Sequence, residues 1–337
     1  MSLTKEIETR QDSALSARIV RSTPLIYESE AEPGSDRPPH VRAASSLVHV
    51  TDVLVAIQDD ANFLALVDRD RNRVRYLTLP AGPDGQRVFD EERGNKHQKH
   101  DLEACLAVPN TDGDFLIAFG SGSLPNSGWI LSVDWRKGDE PNISLLDASA
   151  FYEALRQEHA FSGSGLNIEG AIFVGDDTIR LFQRGNSEAQ GNLQPVDATG
   201  DLSWSALEAH LQNPDAVSPP QLSNIMQYQL GHLDGVRLTF SDAEPVGESI
   251  LFSASAEASD ESERIAGSVL GIIDGRETRW VEMINEDGTA FGGKVEGLSL
   301  APNNPYHAYF VIDDDDAEKP SEIFEVELSG PWYQNNA

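Results

Sequence analysis

Cysteine is almost absent. Cys105 is the only one in 337 residues, which excludes an internal disulfide and a cysteine-rich zinc site. Set in Glu-Ala-Cys-Leu-Ala-Val, it reads as a small buried hydrophobe rather than a nucleophile. Positive charge is also scarce: 25 Lys and Arg face 56 Asp and Glu, a formal net charge of −31. A surface this acidic repels phosphate backbones and anionic headgroups, so neither nucleic acid nor a membrane is expected as a partner. Long hydrophobic runs are missing too. No stretch approaches the roughly 20 apolar residues that span a bilayer, and residues 1–16 lack the apolar centre of a secretory signal. A soluble, cytoplasmic protein is expected, with an export signal removed beforehand as the alternative. Nor is there a Gly-x-Ser-x-Gly elbow, a Walker loop, a His-Glu-x-x-His helix or a dinucleotide fingerprint.

What is present is β-structure. From residue 44 onward, short runs rich in Val, Ile, Leu and Phe alternate with Gly, Asp, Asn and Pro, with few helical periods. The runs recur in similar order, beginning at Val48, Asp101, Asn167, Asp242 and Lys294. Five such units predict an all-β chain folded as a β-propeller. A sixth, degenerate blade would fit in the long interval around Met226–Phe240. The chain ends on a third-strand pattern, Glu322–Leu328, so the isolated strand near Ile19 is expected to complete the last blade and close the ring. Residues 1–16 read as a flexible N-terminus and 17–337 as one propeller domain. Ala148–His159 and Ser203–Leu211 read as amphipathic helices decorating the loops.

Acidic tripeptides open these units. Glu103, Glu169, Glu244 and Glu296 each stand two residues after a polar or charged one, namely Asp101, Asn167, Asp242 and Lys294. Positions i and i+2 of a strand share a face, so each pair points one way. Asp52 is taken as the corresponding position of the first unit. Propeller first strands line the axis, so the four glutamates are expected to converge on one funnel, where their repulsion calls for a cation. Ca²⁺ is the expected metal because it accepts six to eight oxygen ligands. The second-strand ends, assigned to Asp68, Ser121 with Ser123, Arg184 with Asn186, Glu257, and Asp313 with Asp314, should return to the same rim. One basic segment opposes the overall charge, Arg93-Gly-Asn-Lys-His-Gln-Lys-His100. Lys99 and His100 from it, with Arg184, Asn186, Lys294, Asp101, Asn167, Asp242 and Asp313, form the expected binding set for a small anionic ligand.

Asp101-Leu-Glu-Ala, Ile168-Glu-Gly-Ala and Val295-Glu-Gly-Leu, with the acidic second-strand ends, resemble bacterial propellers of the esterase-like phytase and SdiA-regulated groups. More distantly, they resemble strictosidine synthase and gluconolactonase propellers. The resemblance implies a closed propeller with a channel-bound Ca²⁺ in some members, and phosphoester or ester hydrolysis in some. Residue by residue it extends to Glu103, Glu169 and Glu296, since Glu244 is followed by Pro and Asp52 lacks the tripeptide. The expected function is an acidic central-channel site binding Ca²⁺ and a small anionic ligand. The alternative is Ca²⁺-assisted hydrolysis of phosphate esters, esters or lactones, with Lys99 or Arg184 stabilising developing negative charge.

Overall fold

A computed structural model describes residues 5–333 except 51, 70, 110–113, 137–139, 259–263, 276, 303 and 314–315. Its strands form five four-stranded antiparallel units. Blade I is Ala44–Val50, Val53–Gln58, Phe63–Asp68 and Arg73–Thr78. Blade II is Leu102–Ala107, Phe115–Gly120, Trp129–Asp134 and Asn142–Asp147. Blade III is Ile168–Phe173, Thr178–Gln183, Asp197–Ser203 and Ser223–Gln229. Blade IV is Val236–Val246, Ser249–Glu257, Ile265–Ile273 and Thr278–Ile284. Blade V joins Val295–Ala301, Asn304–Ile312 and Glu322–Ser329 to the N-terminal strand Ser16–Pro24. The first strands of the blades neighbour one another in the order I, II, III, IV, V and back to I, so the chain is a β-propeller closed by its N-terminal strand.

Packing follows from residue type. The first two strands of a blade are covered on both faces and read as near-continuous Val, Ile, Leu, Phe and Ala, whereas outer strands such as Arg73–Thr78 expose alternate residues. Each of five major apolar clusters lies between consecutive blades. Ile57, Leu64, Leu116 and Leu131 fill the gap between blades I and II; Phe182, Tyr228, Phe240 and Phe252 fill that between III and IV. Blades therefore pack face to face, and no separate central core is needed. No described helix is long and apolar enough to cross a membrane.

In its secondary-structure elements the structure differs from the sequence reading in four places. The run that begins at Val48 holds the hairpin of blade I's first two strands, Ala44–Val50 and Val53–Gln58, because the short stretch between them in sequence hardly interrupts the apolar run. Residues 5–11, read as flexible, form a strand Lys5–Gln11 that pairs in parallel with the outer strands of blades III and IV. The interval 226–240 holds the last strand of blade III and a short hairpin at His232–Leu233, and no further blade. The helix Ser149–Gln157 is also more than decoration. It buries Phe151, Tyr152 and Leu155 between blades II and III, where the Tyr152 hydroxyl donates to the Gly120 carbonyl (2.8 Å).

Candidate functional site

Every first strand carries a β-bulge at the same level. The pairing slips between Ala44 and Ser46, Leu102 and Ala104, Ile168 and Gly170, Phe240 and Asp242, and Val295 and Gly297. A bulge inserts one unpaired residue and re-aims its side chain. The inserted residues are Ser45, Glu103, Glu169, Ser241 and Glu296, three carboxylates and two hydroxyls. Two residues before them stand Ala43, Asp101, Asn167, Thr239 and Lys294. The Glu-Gly pairs have a steric cause: a Cβ on Gly297 would come within 2.7 Å of the Ser46 backbone in the next first strand.

This register corrects two assignments. The blade I counterpart of the glutamates is Ser45, whose hydroxyl donates to the Leu102 carbonyl (2.6 Å); Asp52 sits in the hairpin connection at the strand's far end. In blade IV the counterpart is Ser241, with Oγ 2.9 Å from that of Ser255, and not Glu244. Glu244 lies three residues past the bulge and accepts a hydrogen bond from the Leu300 backbone. Asp242 is no ligand-binding residue either, since it is buried and accepts from Ser46 Oγ (3.1 Å), Ala243 N (2.8 Å) and Leu298 N (2.9 Å), thereby tying three first strands together.

The mouth is a lattice of ion pairs. Arg184 donates to Glu169 Oε1 (3.0 Å), Glu257 Oε2 (2.5 Å) and Thr239 Oγ1 (3.2 Å). Lys294 Nζ lies 2.7 Å from Glu296 and 3.3 Å from Glu257. Lys99 Nζ lies 2.5 Å from Asp59 Oδ2 and 2.6 Å from Asp101 Oδ1. Ser121 and Ser123 donate to the other oxygen of Asp101 (3.2 Å from Ser123). Asn167 Nδ2 bonds Glu169 (2.7 Å) and Asn186 Oδ1 (3.3 Å), the latter residue standing exposed at the rim. Glu103, Glu169, Glu296, Arg184, Lys294 and Asp313 line a cavity of about 70 Å³, together with Asp59. A larger outer cavity of about 280 Å³ shares Ala43, Asp59 and Asp313 with it.

Asp59 is the residue that sequence reasoning missed. It follows the second strand of blade I, so the misread hairpin hid it and put Asp68 in its place; Asp68 ends the third strand and pairs with Arg71 (2.8 Å). Asp314 lies outside the described residues. His100 is not at the site. It is buried edge-on between Phe89 and Trp129, with Nδ1 3.2 Å from Asn62, and burial lowers its pKa.

Charge is unbalanced here. Asp59, Asp101, Glu103, Glu169, Glu257, Glu296 and Asp313 outnumber Lys99, Arg184 and Lys294. Burial first, then Asp59, Glu169 and Asp101, raise the Glu103 carboxyl well above the ordinary range, and burial likewise raises Asp59. Glu169 is pushed up to about 7 by burial, with Arg184 opposing and Glu296 reinforcing. Glu257 is held low, since Lys294 and Arg184 together outweigh its burial. The oxygens of Asp59, Asp101 and Glu103 lie within 4.8 Å of one another, the one such group of three among the described residues; Glu169 and Glu296 do not join it. Four glutamates therefore do not make a single metal centre, and the carboxylates that do converge include two the metal set omitted.

Glu244 offers a separate test of burial. Its pKa is raised to about 8, mainly by burial and against the Leu300 hydrogen bond. An acid whose folded pKa is raised contributes stability at low pH that is lost as pH rises through the folded value. Glu244→Gln is expected to leave the melting temperature nearly unchanged at pH 5 and to raise it by a few degrees at pH 9, as measured by thermal denaturation. Equal shifts at both pH values would show that Glu244 does not carry this penalty.

Residues 40–328 match the profile of a family described as "Family of unknown function (DUF6929)". No curated protein matches the chain. Similar solved structures include Myxococcus xanthus glutaminyl cyclase (12% identity, 97% of this chain and 99% of that one, TM-score 0.48). Others are the Malassezia sympodialis allergen Mala s 1 (8%, 85% and 93%, 0.47) and the pyranose dehydrogenase PQQ domain of Coprinopsis cinerea (11%, 95% and 100%, 0.41). These likenesses carry no activity across.

Proposed function

The chain belongs to the DUF6929 family, whose function is unknown, and we propose from its own side chains that the channel mouth binds a divalent cation, Ca²⁺ being the best match, beside a small anionic ligand. The observation that carries this reading is the Asp59, Asp101 and Glu103 group. Its oxygens are close enough to share one ion, and Glu103 accepts no hydrogen bond among the described residues. The donors are hard oxygens, with neither His nor Cys among them, which suits Ca²⁺ better than zinc or copper. Surplus carboxylate charge at the mouth favours the same ion, and the tripeptides' resemblance to phytase-like propellers agrees with it. Lys294 and Arg184 line the inner cavity and supply the cations for an anionic ligand.

The test is thermal stability with Ca²⁺ against a chelator. A ligand at about 100 times its Kd adds roughly 2.7 kcal/mol to folding stability, a shift of several degrees. That shift is expected in the wild type and is expected to vanish in Glu103→Gln. Equal melting with Ca²⁺ and chelator, with no heat in a calorimetric titration, would remove the metal.

One observation supports a second reading, Ca²⁺-assisted hydrolysis. The Glu169 pKa is pushed up to about 7, and its Oε1 accepts from Arg184 and Asn167, so at neutral pH it can both give and accept a proton at Oε2. When bound, the ion supplies Lewis acidity toward a phosphoryl or acyl oxygen. Turnover of phosphate esters, aryl esters or lactones that is lost in Glu169→Gln separates catalysis from binding alone.

A further inference from the structure

Lys99 stands where the proposed ion would enter. Its ammonium takes an oxygen from each of two of the three carboxylates, Asp59 (2.5 Å) and Asp101 (2.6 Å). It also lines the outer cavity, and its partner Asp59 lines both the outer and the inner space, so the pair stands where the two meet. The backbone here is held. Lys99 N donates to Lys96 O (3.2 Å), and the Gln98 and Lys99 carbonyls both accept from Asn126 Nδ2 (2.8 and 3.2 Å). Only the flexible four-carbon stem is left free to move. Asp60, the next residue after Asp59, also lines the outer cavity. Asp60 bonds Arg42 through Oδ2 (2.6 Å), while its Oδ1 is buried with no hydrogen-bond partner among the described residues. A buried acceptor without a donor is costly, so it is a favourable destination for an ammonium.

We propose that Lys99 is a built-in counter-ion for the channel mouth, displaced from Asp59 and Asp101 toward Asp60 when a divalent cation enters. The proposal deepens the cation-binding reading and rests on it. With Lys99 in place, its one ammonium holds an oxygen of two of the three carboxylates and offsets one of their charges. With Lys99 withdrawn, all three carboxylates are available to the ion and the ammonium remains paired. Nothing covalent changes.

Two measurements test this on the full chain, with Ca²⁺ alone as the probe. In calorimetric titration, Lys99→Gln is expected to bind Ca²⁺ at least tenfold more tightly than the wild type, and Lys99→Arg at least tenfold more weakly, because a guanidinium can bond carboxylates through paired donors and is harder to displace than an ammonium. Amine labelling read by mass spectrometry distinguishes displacement from mere removal of a nearby charge. Lys99 of the wild type is expected to be protected in chelator and to become several-fold more reactive with saturating Ca²⁺. Equal or weaker binding by Lys99→Gln overturns the proposal, as does labelling of Lys99 that Ca²⁺ leaves unchanged. If Lys99→Gln fails to fold, the Lys99→Arg affinity and the wild-type labelling still decide. The two readings fail separately. Ca²⁺ bound by Lys99→Gln but not by the wild type means that the lysine permanently replaces the ion, which sinks the native cation site and the displacement. Binding by the wild type that Lys99→Gln does not improve leaves the cation site and removes the counter-ion.

Discussion

Replacing Arg184 by Met is expected to cost about 3–5 kcal/mol of folding stability at pH 8, because it breaks a buried ion-pair network by removing one member. Arg184 is 3% exposed and bonds two carboxylates and a threonine. Without it, Glu169 keeps Asn167 as a hydrogen-bond donor but stands buried beside Glu296. Its pKa, already about 7, rises further. Protonation relieves the strain, so the sign is settled: the deficit is smaller at pH 5 and grows as pH rises through the shifted value. The double variant Arg184→Met with Glu169→Gln removes the unpaired charge and is expected to recover much of the loss. Urea denaturation at the two pH values checks both statements. A single variant costing under about 1 kcal/mol at pH 8 would mean that water reaches Glu169 and screens its charge.

The mouth is only half legible from sequence. The blades themselves could be read because each interblade cluster needs apolar runs at strand length, and Phe115–Gly120 or Ser249–Glu257 has little other use for its residues. Asp101 with Glu103, Asn167 with Glu169 and Lys294 with Glu296 were legible for a related reason: the i, i+2 rule holds up to the bulge. Blade IV shows where the rule stops. Its Asp242-Ala-Glu244 imitates the pattern, but the slip at Phe240 and Asp242 puts Ser241 at the mouth and turns Asp242 into a clasp on Ser46 and Leu298. A bulge changes the facing of every later residue by one and leaves no mark in hydrophobicity. Asp59 was lost through a turn too short to interrupt its flanking strands. The segment 93–100 was misjudged for yet another reason. Composition gives a basic loop, whereas the fold sends Lys99 inward, packs His100 in the core and leaves Lys96 exposed beside Glu91 (3.6 Å).

Ring closure leads to the second large effect. A chain lacking residues 1–24 is expected to form no cooperatively folded monomer, whereas one lacking only residues 1–11 is expected to fold with a melting temperature a few degrees lower. Both deletions remove a strand, but the strands differ in what they cover. Lys5–Gln11 is mostly exposed and adds pairing at the outer edges of blades III and IV. Ser16–Pro24 is the fourth strand of blade V, paired along the length of Glu322–Ser329. Together with Leu15 it contributes Ala17 and Ile19 to the cluster between blades IV and V. Losing it opens a hydrophobic sheet edge that invites aggregation. It also uncovers Trp332, which is fully buried and donates through Nε1 to the Ser16 and Ser329 carbonyls (3.2 and 3.0 Å). The shorter deletion keeps Asp12, the partner of Arg279 (2.9 Å), and so leaves the blade IV anchor intact. Circular dichroism and tryptophan fluorescence on the two truncated chains separate these outcomes. A cooperative, wild-type-like melt of the chain lacking residues 1–24 would show that packing between the first strands alone suffices to hold the ring, and that the N-terminal strand is an accessory to it.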